Sequence, residues 1–253
     1  MKQLAITALL ALAGMGTKAQ TGEYRQPLPY TGIEVKNGIE VVITQSDIPS
    51  LKVESDNGEL LDNIVTEFKG NTLKIYIAED GKVRHGLSTA KVYITQKNIT
   101  DIKASTGSSI KVSNKFIAES INLKLYTGAT FTGILETKSM RVKAASGSVF
   151  RGIVNTGKFD GDISGGATIK VTGTSNMTTV TCNSGVLQAG KLKSEKANVT
   201  AFNAASAFVN AVQSIKINTD SSSSVTYYGE PADVALSENT YSIRKDSHKF
   251  ALN

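Results

Sequence analysis

Asp160 and Asp162 stand two residues apart in Phe159-Asp160-Gly161-Asp162. In extended chain that spacing points both carboxylates to one face. Paired carboxylates can act as acid and base on a glycosidic bond, or can hold a calcium ion beside a basic residue. Arg141 and Lys143 lie nineteen residues before the pair (160 − 141 and 162 − 143), but no third acid falls in register with it. A solvated strand face with local charge pairing is therefore expected. Serines are plentiful, yet His85 and His248 are the two histidines and neither is spaced to activate a particular serine. The single cysteine, Cys182, excludes an intramolecular disulfide and a thiolate zinc cluster, and it falls where a buried, inert thiol is expected. Neither GxxxxGK[ST] nor GxGxxG ahead of a helix occurs. The expectation is a protein that is not an enzyme, with no catalytic residue, metal or cofactor.

What recurs instead is positive charge. Lys103, Lys124 and Lys143 follow one another at spacings of 21 and 19, and Lys111, Arg151 and Lys170 at 40 and 19. Cations at a fixed structural period can meet a linear polyanion, such as an acidic glycan or another cell-surface polymer. The same lysines can also serve only to keep strand edges soluble. Asp162 interrupts the first row. Trp is absent, and Tyr126, Tyr227 and Tyr228 are the candidates for stacking against a sugar.

The elements that must carry these residues follow from a repeat. Ser105-Thr106-Gly107-Ser108, Tyr126-Thr127-Gly128-Ala129, Ala145-Ser146-Gly147-Ser148, Ser164-Gly165-Gly166-Ala167 and Asn183-Ser184-Gly185-Val186 are copies of one small-residue motif. Weaker copies follow at Asn203-Ala204-Ala205-Ser206 and Asp220-Ser221-Ser222-Ser223, giving spacings of 21, 19, 19, 19, 20 and 17 from Gly107 onward. Five and three places before the glycine the residues are mainly apolar, and the place between them is mainly polar, which is the period of a strand. In the sixth unit, which is one residue longer, Val199 and Ala201 are candidates for the inward places. Three places after the glycine stand Ile110, Phe131, Phe150, Ile169, Gln188, Phe208 and Val225, a core column broken at Gln188.

Such columns describe an all-β, right-handed parallel β-helix, a β-solenoid of about seven coils of about nineteen residues. Pro27, Pro29, Pro49 and Pro231 all lie outside 50–230, as a ladder of backbone donors demands. Stacked coils would set the cations in rows about 4.8 Å apart.

Residues 31–99 read as a β-rich cap on the N-terminal end of coils at 100–228, with 229–253 as a C-terminal cap and tail. Thr31 to Thr44 alternates around Asn37-Gly38, a hairpin signal. Leu51 to Val53, Leu73 to Ile77 and Val92 to Ile94 are further strands. Asn57 to Phe68 fits either a short helix or a strand pair, and Gly81 to Gly86 reads as an exposed basic loop.

Residues 1–19 have the layout of a secretory signal peptide, with Lys2, an apolar run from Leu4 to Ala13, and Thr17 and Ala19 at the −3 and −1 places before Gln20. Residues 20–30 then form a linker. Removing residues 1–19 deletes Lys2 and Lys18, so the net charge falls from +6 to 26 − 22 = +4. An apolar content of 40% fits a folded globular chain, no apolar run reaches the roughly 20 residues of a membrane helix, and Cys182 is too distant for a lipobox. An exported chain has no nucleic acid as partner. Its expected place is the periplasm, the outer-membrane surface or the medium.

The opening GIEVKNGIEVVI, the glycine-centred coil motif and the closing Tyr227-Tyr228-Gly229-Glu230-Pro231 together resemble the autotransporter-adhesin head GIN domain family of Bacteroidota-type bacteria. The resemblance covers roughly residues 30–245. It implies a β-helical fold, an envelope or secreted location, and no catalytic residues to carry over. Ala205 and Ser222 depart from the pattern by replacing the corner glycine, so less sharp corners are expected there. Three roles follow: a surface-binding adhesin or glycan-binding module, a structural envelope component, or a polysaccharide-active enzyme.

Overall fold

A computed structural model describes residues 21–78, 88–238 and 240–247. The signal sequence, the Gly81–Gly86 stretch, His85 and His248 lie outside the described residues. The N-terminal part contributes β1 (Thr21–Arg25), β2 (Gly32–Val35), β3 (Glu40–Thr44), β4 (Ser50–Ser55), helix α1 (Gly58–Asn63), β5 (Ile64–Lys69), β6 (Thr72–Ile77) and β7 (Ala90–Thr95). The repeat supplies β8 (Asp101–Ala104), β9 (Ser109–Leu125), β10 (Thr130–Ala145), β11 (Val149–Ser164), β12 (Thr168–Asn183), β13 (Val186–Phe202) and β14 (Ser206–Thr219). The chain ends in β15 (Ser224–Tyr228), β16 (Asp233–Leu236) and β17 (Ile243–Lys245).

From β9 to β14 each strand pairs in parallel with the next, making a β-solenoid of about 8 turns. β15 and β16 extend the stack in parallel from β14, and β17 from β15. Each long strand bends once, so a coil has two halves. The halves containing 101–104, 121–125, 139–145, 158–164 and their successors form the A face. Those containing 109–112, 130–136, 149–155, 168–174 and their successors form the B face.

The corner from A to B is the small-residue motif. In its first four copies the two central residues both have positive φ, for example 55° and 70° at Thr106 and Gly107, and 54° and 70° at Ser146 and Gly147, whereas at Ser184-Gly185 only Ser184 does. That backbone strains ordinary side chains and suits glycine at the second place. The corners also carry the ladder onward, for Gly107 N donates to Thr127 O at 2.9 Å and Gly128 N to Ser146 O at 3.0 Å. The sixth corner keeps this geometry without glycine, with φ 59° at both Asn203 and Ala204, so Ala204 rather than Ala205 takes the glycine's place and the corner is as sharp as the first four. At the seventh, neither Ser221 nor Ser222 has a positive φ. Polar groups from the next coil fasten the sixth corner. Asn203 N donates to Asp220 Oδ2 at 2.8 Å and Ala204 N to Ser222 Oγ at 2.9 Å.

The B-to-A bend has its own column, unread in the sequence. Ala118, Thr137, Thr156, Ser175 and Ser194 pair in register, nineteen residues apart each time. The hydroxyls satisfy backbone that the bend leaves open: Thr156 Oγ1 donates to Lys158 O at 3.1 Å and Ser175 Oγ to Met177 O at 2.9 Å.

Between the faces lies one continuous core. Phe131 and Phe150 stack with ring centroids 5.6 Å apart and 11° between planes. Each ring fills the space left by the glycine two residues on. A Cβ on Gly152 would stand 2.5 Å from Phe150 Cζ, and one on Gly133 3.4 Å from Phe131 Cε1. Phe159 relates to Gly161 in the same way, at 3.5 Å.

The N-terminal part departs from the sequence reading. Asn37-Gly38 does carry the two positive φ angles, 64° and 72°, of a hairpin turn. Yet β2 and β3 do not pair with each other. β2 pairs in parallel with β6 and β8, and β3 with β7 and β9. Gly38 N donates to Thr106 O at 2.9 Å, so Asn37-Gly38 is another coil corner. Residues 32–44 thus form a coil slotted between β6–β7 and β8–β9. Antiparallel strands then close this end, β4 on β7, β1 on β4 and β5 on β6. Residues 57–69 contain both a helix and a strand. Asn57 caps α1 by accepting from Leu60 N at 3.2 Å, and Leu60 and Leu61 bury its apolar side.

Candidate functional site

The register sets Lys103, Lys124 and Lys143 side by side on the A face, in adjacent strands. Acids stand at both ends of the row. Glu34, brought alongside by the slotted coil, takes Lys103 Nζ at 3.0 Å and Lys36 Nζ at 3.2 Å. Burial pushes the Glu34 carboxyl up, but the hydrogen bonds and charge of Lys103 and Lys36 outweigh it and hold the group below its ordinary value. At the other end Asp162 pairs with Lys143 at 3.2 Å, and its hydrogen bond and charge hold the Lys143 ammonium above its ordinary value. Lys124 alone of the three has no ion pair among the described residues.

Asp160 and Asp162 are consumed by the same pairing. Lys158 reaches Asp160 at 3.0 Å and Arg141 at 3.6 Å. The two carboxylates sit among three cations, Arg141, Lys143 and Lys158, so both are engaged in ion pairs. Among the described residues no group of three or more His, Cys, Asp or Glu is placed to hold a metal ion. Cys182 is fully buried in the A-face core column, and burial pushes its thiol up to about 11.

The B face is different. Lys111, Arg151 and Lys170 occupy one column with Thr132 between the first two. All three are exposed, and none has an ion pair among the described residues. Lys115, Lys191 and Lys193 project from the same face. Glu136 is the acid among the B-face strand residues of the repeat, and it pairs with Lys115. Beside the cations, Ile134 and Ile153 stand next to each other, 43% and 48% exposed. These isoleucines, Arg151 and Lys170 border a shallow depression of about 300 Å³ above Gly133 and Gly152.

A second depression of about 240 Å³ shares Lys170 and Thr172 with the first. Two irregularities build it. The corner at Ser184-Gly185 is one residue shorter than its predecessor, since Ser164 pairs with Asn183 but Thr168 with Val186. Ile169 is therefore followed in the core column by Leu187 and then Ala207, while Gln188 and Phe208 face outward. This corrects the sequence column, which put Gln188 and Phe208 inside. The lost residue returns as a bulge at Ala189-Gly190, opposite Val171, which opens the surface beside Phe208. Of the tyrosines, Tyr227 points into the core, Tyr228 borders this depression, and Tyr126 sits at a corner.

The profile of the family described as "Putative auto-transporter adhesin, head GIN domain" matches residues 29–155 and again 150–231. The chain belongs to this family. Its head GIN fold has solved counterparts. A "putative adhesin" from Parabacteroides merdae superposes with a TM-score of 0.80 at 14% identity, covering 90% of this chain and 96% of that one. A "putative adhesin" from Parabacteroides distasonis gives 0.78 at 16% identity, covering 90% and 97%. A protein from the same organism, described as a "putative lipid binding protein", gives 0.67 at 20% identity with the same coverage. At these identities the likeness is one of fold. No curated protein matches the chain. Among the described residues no helix is long and apolar enough to cross a membrane.

Proposed function

We propose that this head GIN protein is an exported, non-enzymatic module of the cell envelope that binds an anionic surface polymer, an acidic glycan in the first instance, on its B face. The family's adhesin description supports a surface-binding role. The observation that carries the choice of ligand and face is the column of Lys111, Arg151 and Lys170, whose charge no neighbouring acid cancels. Cations left unpaired on a regular lattice attract a flexible polyanion at many points at once. The Lys103–Lys124–Lys143 row adds less, because Glu34 and Asp162 already occupy its ends.

The test is a panel of acidic and neutral polysaccharides, scored for retention on the immobilised protein and for change in polymer length, with and without calcium. Retention of acidic polymers without shortening supports the reading. Shortening overturns it in favour of an enzyme. Retention of none leaves a structural envelope role.

A second reading has its own observation. Ile134 and Ile153 lie exposed beside Arg151 and Lys170, which suits an acyl chain next to an anionic head group, and one structural relative is described as lipid binding. Vesicles of phosphatidylglycerol in the same panel separate the two. Retention of vesicles in preference to acidic polysaccharides favours the lipid.

A further inference from the structure

The B-face depression beside Phe208 is more specific than a row of charges. Phe208 is an aromatic side chain on the outer surface of the coils, half-buried, with Gln188 before it and Thr226 after it in its column. Lys170 lies one strand beyond Gln188, so about 9.6 Å separates the backbone positions of the ring and the ammonium. Gly190, a bulge residue with no side chain, lines the depression, and Tyr228 and Lys191 complete the border.

Each part has a chemical meaning. A ring projecting from a sheet offers an apolar, electron-rich face to the C–H side of a sugar. Lys170, without an ion pair among the described residues, offers a charge-assisted hydrogen bond to a carboxylate. Gln188, fully outward between them, offers both a donor and an acceptor to hydroxyls. The volume, about 240 Å³, lies below the roughly 300 Å³ at which drug-sized pockets begin, a size for one ring of a longer chain.

We infer that this depression is a subsite for a single carboxylated sugar ring, of the uronic type, stacked on Phe208 with its carboxylate toward Lys170 and its hydroxyls on Gln188. The inference rests on the polyanion reading and sharpens it: the cation column holds the polymer, and the depression chooses sugar over other polyanions. An acyl chain would leave Gln188 unpaired, whereas a sugar engages it.

Two variants and three probes test this. Phe208→Leu keeps an apolar side chain and removes the ring, and Gln188→Glu puts an acid beside Lys170 at an exposed position that the fold does not depend on. The probes are oligogalacturonate, poly-glutamate, which has carboxylates but no sugar ring, and phosphatidylglycerol vesicles. Phe208→Leu is expected to weaken oligogalacturonate binding about five-fold, the scale of one aromatic contact, and to leave poly-glutamate unchanged. Gln188→Glu is expected to weaken both polymers. An equal effect of Phe208→Leu on both polymers, or an effect on neither, overturns the subsite and leaves the polyanion reading standing. Failure of the unmodified protein to bind either polymer overturns both. Vesicle binding that depends on Phe208, with no preference for oligogalacturonate, assigns the depression to a lipid and likewise overturns the sugar.

Discussion

The A and B faces are built from the same coils, share one core and each carry a row of three cations, yet they differ in how far neighbouring acids neutralise that row. On the A face the neighbour one strand away is repeatedly an acid: Glu34 beside Lys103, Asp160 beside Arg141, Asp162 beside Lys143. On the B face the neighbours of Arg151 are Thr132 and Lys170. A surface ion pair contributes at most about 1 kcal/mol, so the A-face pairs add little stability. What they remove is field. In a solenoid the identity of a cation counts for less than what the preceding and following coils set beside it.

The largest effect expected concerns what lies beneath the faces. Phe150→Ala empties the space that Gly152 leaves under the B face and should cost about 3–5 kcal/mol in denaturant unfolding, whereas Ile163→Val under the A face should cost about 0.5–1.5 kcal/mol. Equal costs would show that ring-over-glycine packing does not hold the B half together.

Charge reversal addresses the surfaces directly. Replacing Lys111, Arg151 and Lys170 by Glu should lower retention of oligogalacturonate more than about ten-fold, and the same change at Lys103, Lys124 and Lys143 about two- to three-fold. Indistinguishable losses in two folded variants would erase the contrast between the faces.

Acid should move the faces toward each other. Glu34 has a lowered pKa in the folded protein, so its ion pairs stabilise above the unfolded pKa and are lost as pH falls through the folded value. Protonation releases Lys103 and Lys36. With Lys111, Arg151 and Lys170 all changed to Gln, retention of dextran sulfate, which stays charged, should therefore rise between about pH 5 and pH 3. A flat or falling profile would break the account of why the A row is quiet.

The smallest effect is the control. Cys182 lies fully buried beneath the A face, so a thiol reagent should label neither the unmodified protein nor the charge variants until denaturant is added. Rapid labelling of any native variant would show that its coils had shifted.

The coil period, the inward columns at Ile102 and Ala104 and the corner motif were legible because each is local and repeats. The hydroxyl column at Thr137 and Thr156 repeats as faithfully. It is not legible because Thr and Ser are read as surface, whereas here they line the inside of the bend, Thr137 donating to Thr156 Oγ1 and Thr156 to the backbone carbonyl of Lys158. Gln188 and Phe208 were misplaced because a corner lost a residue and a bulge restored it, so the total length of the coil concealed both. Asn37-Gly38 has the turn chemistry of a hairpin, and only long-range pairing decides whether the strands beside it join each other or separate coils. That pairing also brought Glu34 to Lys103, so the quieting of the A row could not be read from the lysines.

The slotted coil bears on how the chain reaches its folded state. Gly32 pairs with Thr72, forty residues on, and with Asp101, sixty-nine residues on. A chain that emerges from its N-terminus cannot complete that layer until both flanking layers are available, so assembly cannot proceed as simple winding from first residue to last. Closing such loops is slow relative to local contacts. Residues 32–44 therefore find their strand partners only once β6 to β9 exist, and the layer that joins the N-terminal strands to the repeat is made by contacts between distant parts of the chain.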